Sequence, residues 1–300
     1  MAEHVGPRRH TRGVHIEAIL RAQSGVVSRG QARTAGLSDD RIDWRLASGQ
    51  WVSVHPRVYR PADRELGDEA RIRAAGLWAG ESATVTGLAA AWWHKLWPDP
   101  PRIVDITVPP TRGLRPKAGI AIRRRKLADV DRVAVRSQWV TALPLTVLEA
   151  AVALGENGAQ LMDSALQRRV TLDALRKAFC RNLGTRGSAR ARQLLAAASD
   201  GLASAAERRA ISLLRESGLV GWHSHYRVDG FELDLAFPDR HVAVEVDGWA
   251  WHHDPRSFQN DRTRQNALVL AGWTVLRFTW HDLNERPGQV IHEIRMALGA

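Results

Sequence analysis

One cysteine, Cys180, stands among 300 residues, and that scarcity excludes a disulfide framework and any cysteine-rich zinc site. Long apolar runs are missing as well: none approaches the ~20 residues that a membrane-crossing helix needs. The opening stretch, residues 1–13, is polar and basic and lacks the apolar core of a secretory signal. Acidic residues are the minority charge, with 32 Asp and Glu against 43 Lys and Arg, which leaves a formal net charge of +11 and a pI near 11.0. Such a surplus suits a polyanionic partner, because a basic surface attracts phosphates and gains entropy when counterions are released; the plainer alternative is a basic proteome in which Arg occupies solvated faces. The ordinary hydrophobic content of 44% and the length suit two or three globular domains. The expectation is a soluble, cytoplasmic protein.

Residues 1–13 read as a disordered leader and residues 14–66 as the first folded part. Ile16, Ile19 and Leu20 keep helical spacing up to a turn at Ser24-Gly25. Ser28 caps a second helix that Gly36 stops. Ser38 caps a third, residues 39–47, whose first turn is acidic as the helix dipole prefers. Residues 51–54 and 58–59 then form a two-stranded wing around His55-Pro56. Gly25-Val26-Val27-Ser28-Arg29, Ala35-Gly36-Leu37-Ser38, Arg41-Ile42 and Gly49-Gln50-Trp51 through Val58-Tyr59 resemble the winged helix-turn-helix of AbiEi-type antitoxins. The resemblance implies that the third helix enters the DNA major groove and presents Arg41 and Arg45, together with Asp39, Asp40 and Asp43. The alternative is a protein-binding module, with a toxin or another protein as partner.

Residues 67–198 read as an α/β middle domain: a helix near residues 71–79, strands over 103–108 and 120–125, a helix over 141–154, and a polar hinge at 184–188. Trp92 and Trp93 are core candidates. Thr86-Gly87 and Leu143-Pro144-Leu145-Thr146-Val147-Leu148-Glu149 resemble the middle region of AbiEi-like proteins. The arginines at 123–125, 168–169, 176, 186, 190 and 192 either track a DNA backbone or form a solvated face.

Residues 199–300 carry the chemistry. Phe231, Leu233, Leu235 and Phe237 alternate with Glu232, Asp234 and Ala236, the period of a half-buried strand. After the turn at Pro238-Asp239-Arg240, residues 241–247 alternate again, so that Glu245 and Asp247 share a face. Paired as a hairpin, the two strands bring Asp234 beside them. Carboxylates so gathered repel one another unless a cation sits between them, and Mg²⁺ or Mn²⁺ suits an all-oxygen site. Glu207 stands on the inward stripe of the helix marked by Ala210, Ile211 and Leu214, and Trp251-His252-His253 places an imidazole just after the acidic strand.

In order, Glu207, Leu233-Asp234-Leu235-Ala236-Phe237-Pro238, Val244-Glu245-Val246-Asp247-Gly248, Trp251-His252, Asp261-Arg262 and Gly272-Trp273-Thr274-Val275-Leu276-Arg277-Phe278 resemble the Vsr-like branch of the PD-(D/E)xK nucleases. The resemblance implies a restriction-endonuclease-like α/β fold, within a multidomain α+β chain, and a metal-dependent DNA endonuclease active in phage defence or DNA repair. It assigns the metal to Asp234 and Glu245, with Asp247 as ligand or base in the place of the family's Lys. Glu207 completes the shell or orients water, and His252 is a general acid or a phosphate contact. Arg262, Asn266 and Trp251 are candidate DNA contacts, the tryptophan alternatively a core plug or lid. The runner-up is a DNA-binding regulator or antitoxin whose nuclease fold does not cut; an RNA-directed nuclease is a third reading.

Overall fold

The computed structural model describes residues 16–247 and 255–299, with the backbone alone at 247 and 255–261. The chain divides into two compact units, one of Met1–Val170 with Lys177–Ala191, the other of Thr171–Arg176 with Arg192–Ala300. No helix among the described residues is long and apolar enough to cross a membrane.

The first unit opens with α1 (Ile16–Ala22), β1 (Val27–Ser28), α2 (Arg29–Thr34), α3 (Asp39–Ala47), β2 (Trp51–His55) and β3 (Val58–Pro61). Its serines act as their positions suggest. The Ser28 hydroxyl accepts the Gln31 N–H while the Gln31 side chain takes the Ser28 N–H, a reciprocal cap, and the Ser38 hydroxyl accepts the Arg41 N–H. The three strands pair antiparallel in the order β1-β3-β2, over a core of Leu20, Val27, Ala32, Ile42, Trp51 and Tyr59. α4 (Asp68–Ala79) packs Ala70 and Ala74 on Val26 and Val58.

Next come β4 (Thr84–Thr86), α5 (Gly87–Trp93), β5 (Val104–Val108), β6 (Ile120–Arg124), β7 (Arg132–Val135), β8 (Gln138–Thr141), α6 (Leu143–Ala153), α7 (Gly158–Arg168) and α8 (Leu172–Arg181). The strands form a mixed sheet in the order β6-β5-β4-β8-β7, over Ile72, Val85, Trp93, Ile106 and Val140. Trp93 is a core residue, as its sequence context suggests, and its indole N–H donates to the Val135 carbonyl at 3.0 Å. Thr141 closes a strand, and the helix starts at Leu143, close to the start that Pro144 suggests, with that proline in its first turn, where a missing N–H costs nothing.

α9 (Ser188–Glu216) leads into the last sheet, of β9 (His223–Val228), β10 (Phe231–Phe237), β11 (Val242–Asp247) and β12 (Thr274–Thr279). The order is β12-β11-β10-β9, with β11 and β12 parallel and the other pairs antiparallel. α10 (Pro255–Leu270) connects β11 to β12 as the crossover that a parallel pair requires, and α11 (Trp280–Glu285) and α12 (Pro287–Leu298) complete the chain. The whole is a mixed α+β fold with several sheets.

Candidate active site

Alternation along β11 decides which side chains meet in the second unit. Val242, Val244 and Val246 join Leu235 and Phe237 in a core under Ala206, Ala210, Leu213 and Leu214 of α9 and Val290 and Ile294 of α12. Ala243 turns to the opposite face, where Ala236 packs with Leu268 of α10 and with Trp273. Glu245, two residues beyond Ala243, follows it to the α10 side.

There Glu245 is 8% exposed, a burial a carboxylate tolerates only with a partner. Arg264, one helical turn before Leu268, provides it: one guanidinium nitrogen lies 2.5 Å from the Glu245 carboxylate and also donates to the Glu232 carbonyl. In the parallel register Glu245 stands beside Arg277, a second guanidinium on that face.

Asp234 sits where the β10–β11 ladder gives out. The pairing runs to Leu235↔Val244; beyond it the Asp234 carboxylate accepts the Val246 N–H at 2.8 Å, a side chain standing in for the missing ladder bond. On the other edge, pairing passes from Leu233↔Tyr226 to Leu235↔Ser224, which leaves Asp234 next to His225. His225 has left-handed backbone (φ 50°), and its ring nitrogens lie 3.1 Å from Glu207 and 3.1 Å from Glu232.

The structure therefore brings Asp234 and Glu245 to neighbouring positions of adjacent strands. Glu207 is engaged with His225. Asp247 ends β11 with its backbone paired to Thr279; its side chain, like Trp251 and His252 altogether, lies outside the described residues. Among the described residues no three His, Cys, Asp or Glu side chains gather as a metal site. Arg262 and Asn266 are exposed on α10. Arg264 and His225 are the functional candidates that sequence reasoning passed over. The four-residue step from Arg264 to the apolar Leu268 is the signal for the first; the polar run His223-Ser224-His225 hid the strand that carries the second.

On the N-terminal helix α3, the three acids are not equally open. Arg29 bonds Asp39 at 2.7 Å and Asp43 at 2.7 Å and also reaches the Tyr59 hydroxyl. Its guanidinium is held above its usual range by Asp43 first, then by Tyr59 and Asp39, and Asp43 is held below the ordinary carboxylate range by Arg29. Arg41 is exposed and lies 5.1 Å over the ring of Trp44, itself 49% exposed. Arg45 instead packs over Trp51 with its Nε buried and without an acceptor.

With this geometry in view, residues 207–298 match the REase_MTES_1575 family, which is restriction-endonuclease-like. The match supports a restriction-endonuclease-like C-terminal region and a nuclease. Two Mycobacterium tuberculosis proteins, MT2308 of strain CDC 1551 and Rv2248 of strain H37Rv, both described as uncharacterized, are each 28% identical over 267 residues, covering 86% of this chain and 96% of theirs. Among solved structures, the homing endonuclease I-Bth0305I catalytic domain is 24% identical at a TM-score of 0.27, covering 31% of this chain and 96% of its own. The Mycobacterium tuberculosis protein RV2827C is 15% identical at 0.33, covering 60% and 78%.

Proposed function

We propose that the protein is a divalent-metal-dependent DNA endonuclease of the Vsr-like PD-(D/E)xK kind, acting in the cytoplasm in phage defence or DNA repair. The observation that carries this reading is the adjacency of Asp234 and Glu245 on neighbouring strands, inside a region that matches a restriction-endonuclease-like family. The donor set fits a hard cation: both groups are carboxylates, and Mg²⁺ or Mn²⁺ takes carboxylate oxygens together with water and substrate phosphate. Asp234 and Glu245 would hold the ion, with Asp247 as a further ligand or as base. When bound, the metal supplies a hydroxide nucleophile near neutral pH and offsets charge developing on the phosphate.

The chain's own residues do the rest. Asp234 keeps its orientation through the Val246 N–H, and Arg264 fixes the Glu245 carboxylate. Glu207 orients water through its exposed end, His252 protonates or contacts phosphate, and Arg262, Asn266 and Trp251 meet DNA. Residues 14–66 act as a winged helix that delivers DNA or senses a partner, residues 67–198 as the middle domain and residues 199–300 as the nuclease. On α3, Arg29 pairs with Asp39 and Asp43 and Arg33 adds a second cation at Asp39, so together they offset two of the helix's three negative charges against a phosphate backbone. Arg41 is the open cation of the helix, with Arg45 nearby on Trp51.

The test is nicking of supercoiled plasmid with Mg²⁺ or Mn²⁺, wild type against Asp234→Ala and Glu245→Ala. Metal-dependent cutting that both substitutions abolish is the expected result. A second reading, a regulator or antitoxin with a non-cutting nuclease fold, draws on the Arg264–Glu245 pair, because a guanidinium on the carboxylate competes with a cation for it. Salt-sensitive DNA binding by a wild type that does not cut would favour that reading. Competition between DNA and RNA substrates separates the two nucleic acids.

A further inference from the structure

Within the first unit, a cavity of about 740 Å³ opens between the end of β6, the outer face of α6 and the connection from α8 to α9. Its volume is that of a small-molecule site. Its lining divides by chemistry. Arg123, Arg124, Arg125 and Arg186 bring four guanidinium groups against the single carboxylate of Glu149. The lining also has apolar side chains, among them Leu148, Val152 and Phe179.

The charged side is built in advance. Glu149, 9% exposed in its side chain, accepts the Gly87 N–H at 3.1 Å and pairs with Arg125. Arg125 also donates to Asn182 at 3.3 Å, and its Nε is buried with no acceptor. Arg123 is set by Asp105 at 3.3 Å. Arg186 stands exposed at the rim.

The wall is built as well. Residues 184–188, whose composition reads as a hinge, are closed here by bonds from the Thr185 hydroxyl to the Asn182 carbonyl and from the Ser188 hydroxyl to the Thr185 carbonyl. Gly187 has φ +91°, and a Cβ there would meet the Val152 side chain at 2.8 Å, so glycine lets this loop close on α6.

We propose that this cavity binds an organic phosphate of mononucleotide size, with the phosphate on the arginines and the base along the apolar wall. Guanidinium forks match phosphate oxygens in geometry and charge; with Arg123 paired to Asp105 and Arg125 to Glu149, Arg124 and Arg186 are the lining cations without a carboxylate partner in those pairs, and they suit an anion. The apolar side distinguishes the ligand from a bare ion. Two sources share this chemistry, a free nucleotide and the 5′-phosphorylated end of a strand. The inference is independent of the nuclease reading, since the cavity lies wholly within the first unit.

The experiment is calorimetric titration of the full chain with the four ribonucleoside 5′-monophosphates, the matching nucleosides, inorganic phosphate and a 5′-phosphorylated dinucleotide. Arg186→Ala, Val152→Trp and wild type are compared, with far-UV circular dichroism to confirm folding. At least one phosphorylated compound is expected to saturate the wild type, with its unphosphorylated form about tenfold weaker or worse. Arg186→Ala, an exposed change that spares the core, lowers affinity by about tenfold; Val152→Trp, which fills the cavity, removes binding. Tighter binding of the dinucleotide assigns the strand end, and tighter binding of a mononucleotide assigns the free ligand. Three results overturn the proposal: no phosphate compound binding folded wild type, affinity unchanged in Arg186→Ala, or inorganic phosphate binding as tightly as any nucleotide.

Discussion

Asp234 does two separable things, and a pair of substitutions distinguishes them. Its carboxylate accepts the Val246 N–H at 2.8 Å at the point where the β10–β11 ladder ends, and it stands beside Glu245 on the neighbouring strand. Asp234→Asn keeps an amide oxygen in the same place, so the backbone bond survives in weaker, uncharged form. That loss is about 1 kcal/mol, and it is offset by relief of repulsion against the buried Glu245. Asp234→Ala removes the acceptor and leaves a half-buried N–H unsatisfied, at a cost of about 2 kcal/mol. In a unit of this size that shifts the melting temperature by on the order of 10 °C.

Cleavage behaves differently. Both substitutions remove the charge that would hold the metal, so both lose on the order of 10²–10³-fold in rate, about 3–4 kcal/mol of transition-state stabilisation. The assays are initial rates of plasmid nicking in Mg²⁺ and thermal melting followed by circular dichroism. The expected pattern is one stable and one destabilised variant, both inactive. An Asp234→Asn protein that cuts at the wild-type rate would refute the role of the carboxylate; an Asp234→Ala protein as stable as wild type would refute the role of the hydrogen bond.

Three further outcomes are expected. Arg264→Ala removes the guanidinium that holds the Glu245 carboxylate and lowers nicking on the order of 100-fold, while Arg264→Lys keeps the charge and loses about tenfold; a fully active alanine variant would remove Arg264 from the site. Arg29→Ala uncovers Asp43, leaves Asp39 with Arg33, and weakens duplex binding, read by fluorescence anisotropy, by on the order of tenfold; adding Asp39→Asn and Asp43→Asn restores it, and no recovery would mean that α3 does not face DNA. His94 is buried, with Nε2 2.8 Å from the Thr141 carbonyl, and burial holds its pKa below the usual value. The unfolded chain therefore takes up the proton first: this stability is full above about pH 6.5 and is lost as pH falls toward the lower folded value. His55 contributes in the same direction. The urea midpoint is expected to drop between pH 7.5 and 5.5, and to drop less in His94→Gln; an equal drop in both proteins would clear His94 of the effect.

Much of the local structure was legible in the chain because it depends on neighbours in sequence. Ser28 and Ser38 announce their helices, since a cap needs only a hydroxyl and an N–H three residues on. The alternation over residues 231–237 and 242–247 gives the strands and the shared side of Ala243 and Glu245. The strands β4, β7 and β9 were not legible: β4 is three residues long, and β7 and β9 expose residues on both faces, so none carries a clean apolar period.

The sequence by itself determined the acidic pair, the caps, the basic surplus and the likeness to a nuclease. Only the tertiary structure decided that Arg264 sits on Glu245, that Arg29 reaches two acids of α3, and that residues 185–188 line a cavity. The physical reason is range. Caps and alternation are written within a few residues, whereas an ion pair across 19 positions, or a glycine loop closing on a helix, exists only once register and packing have brought distant segments together.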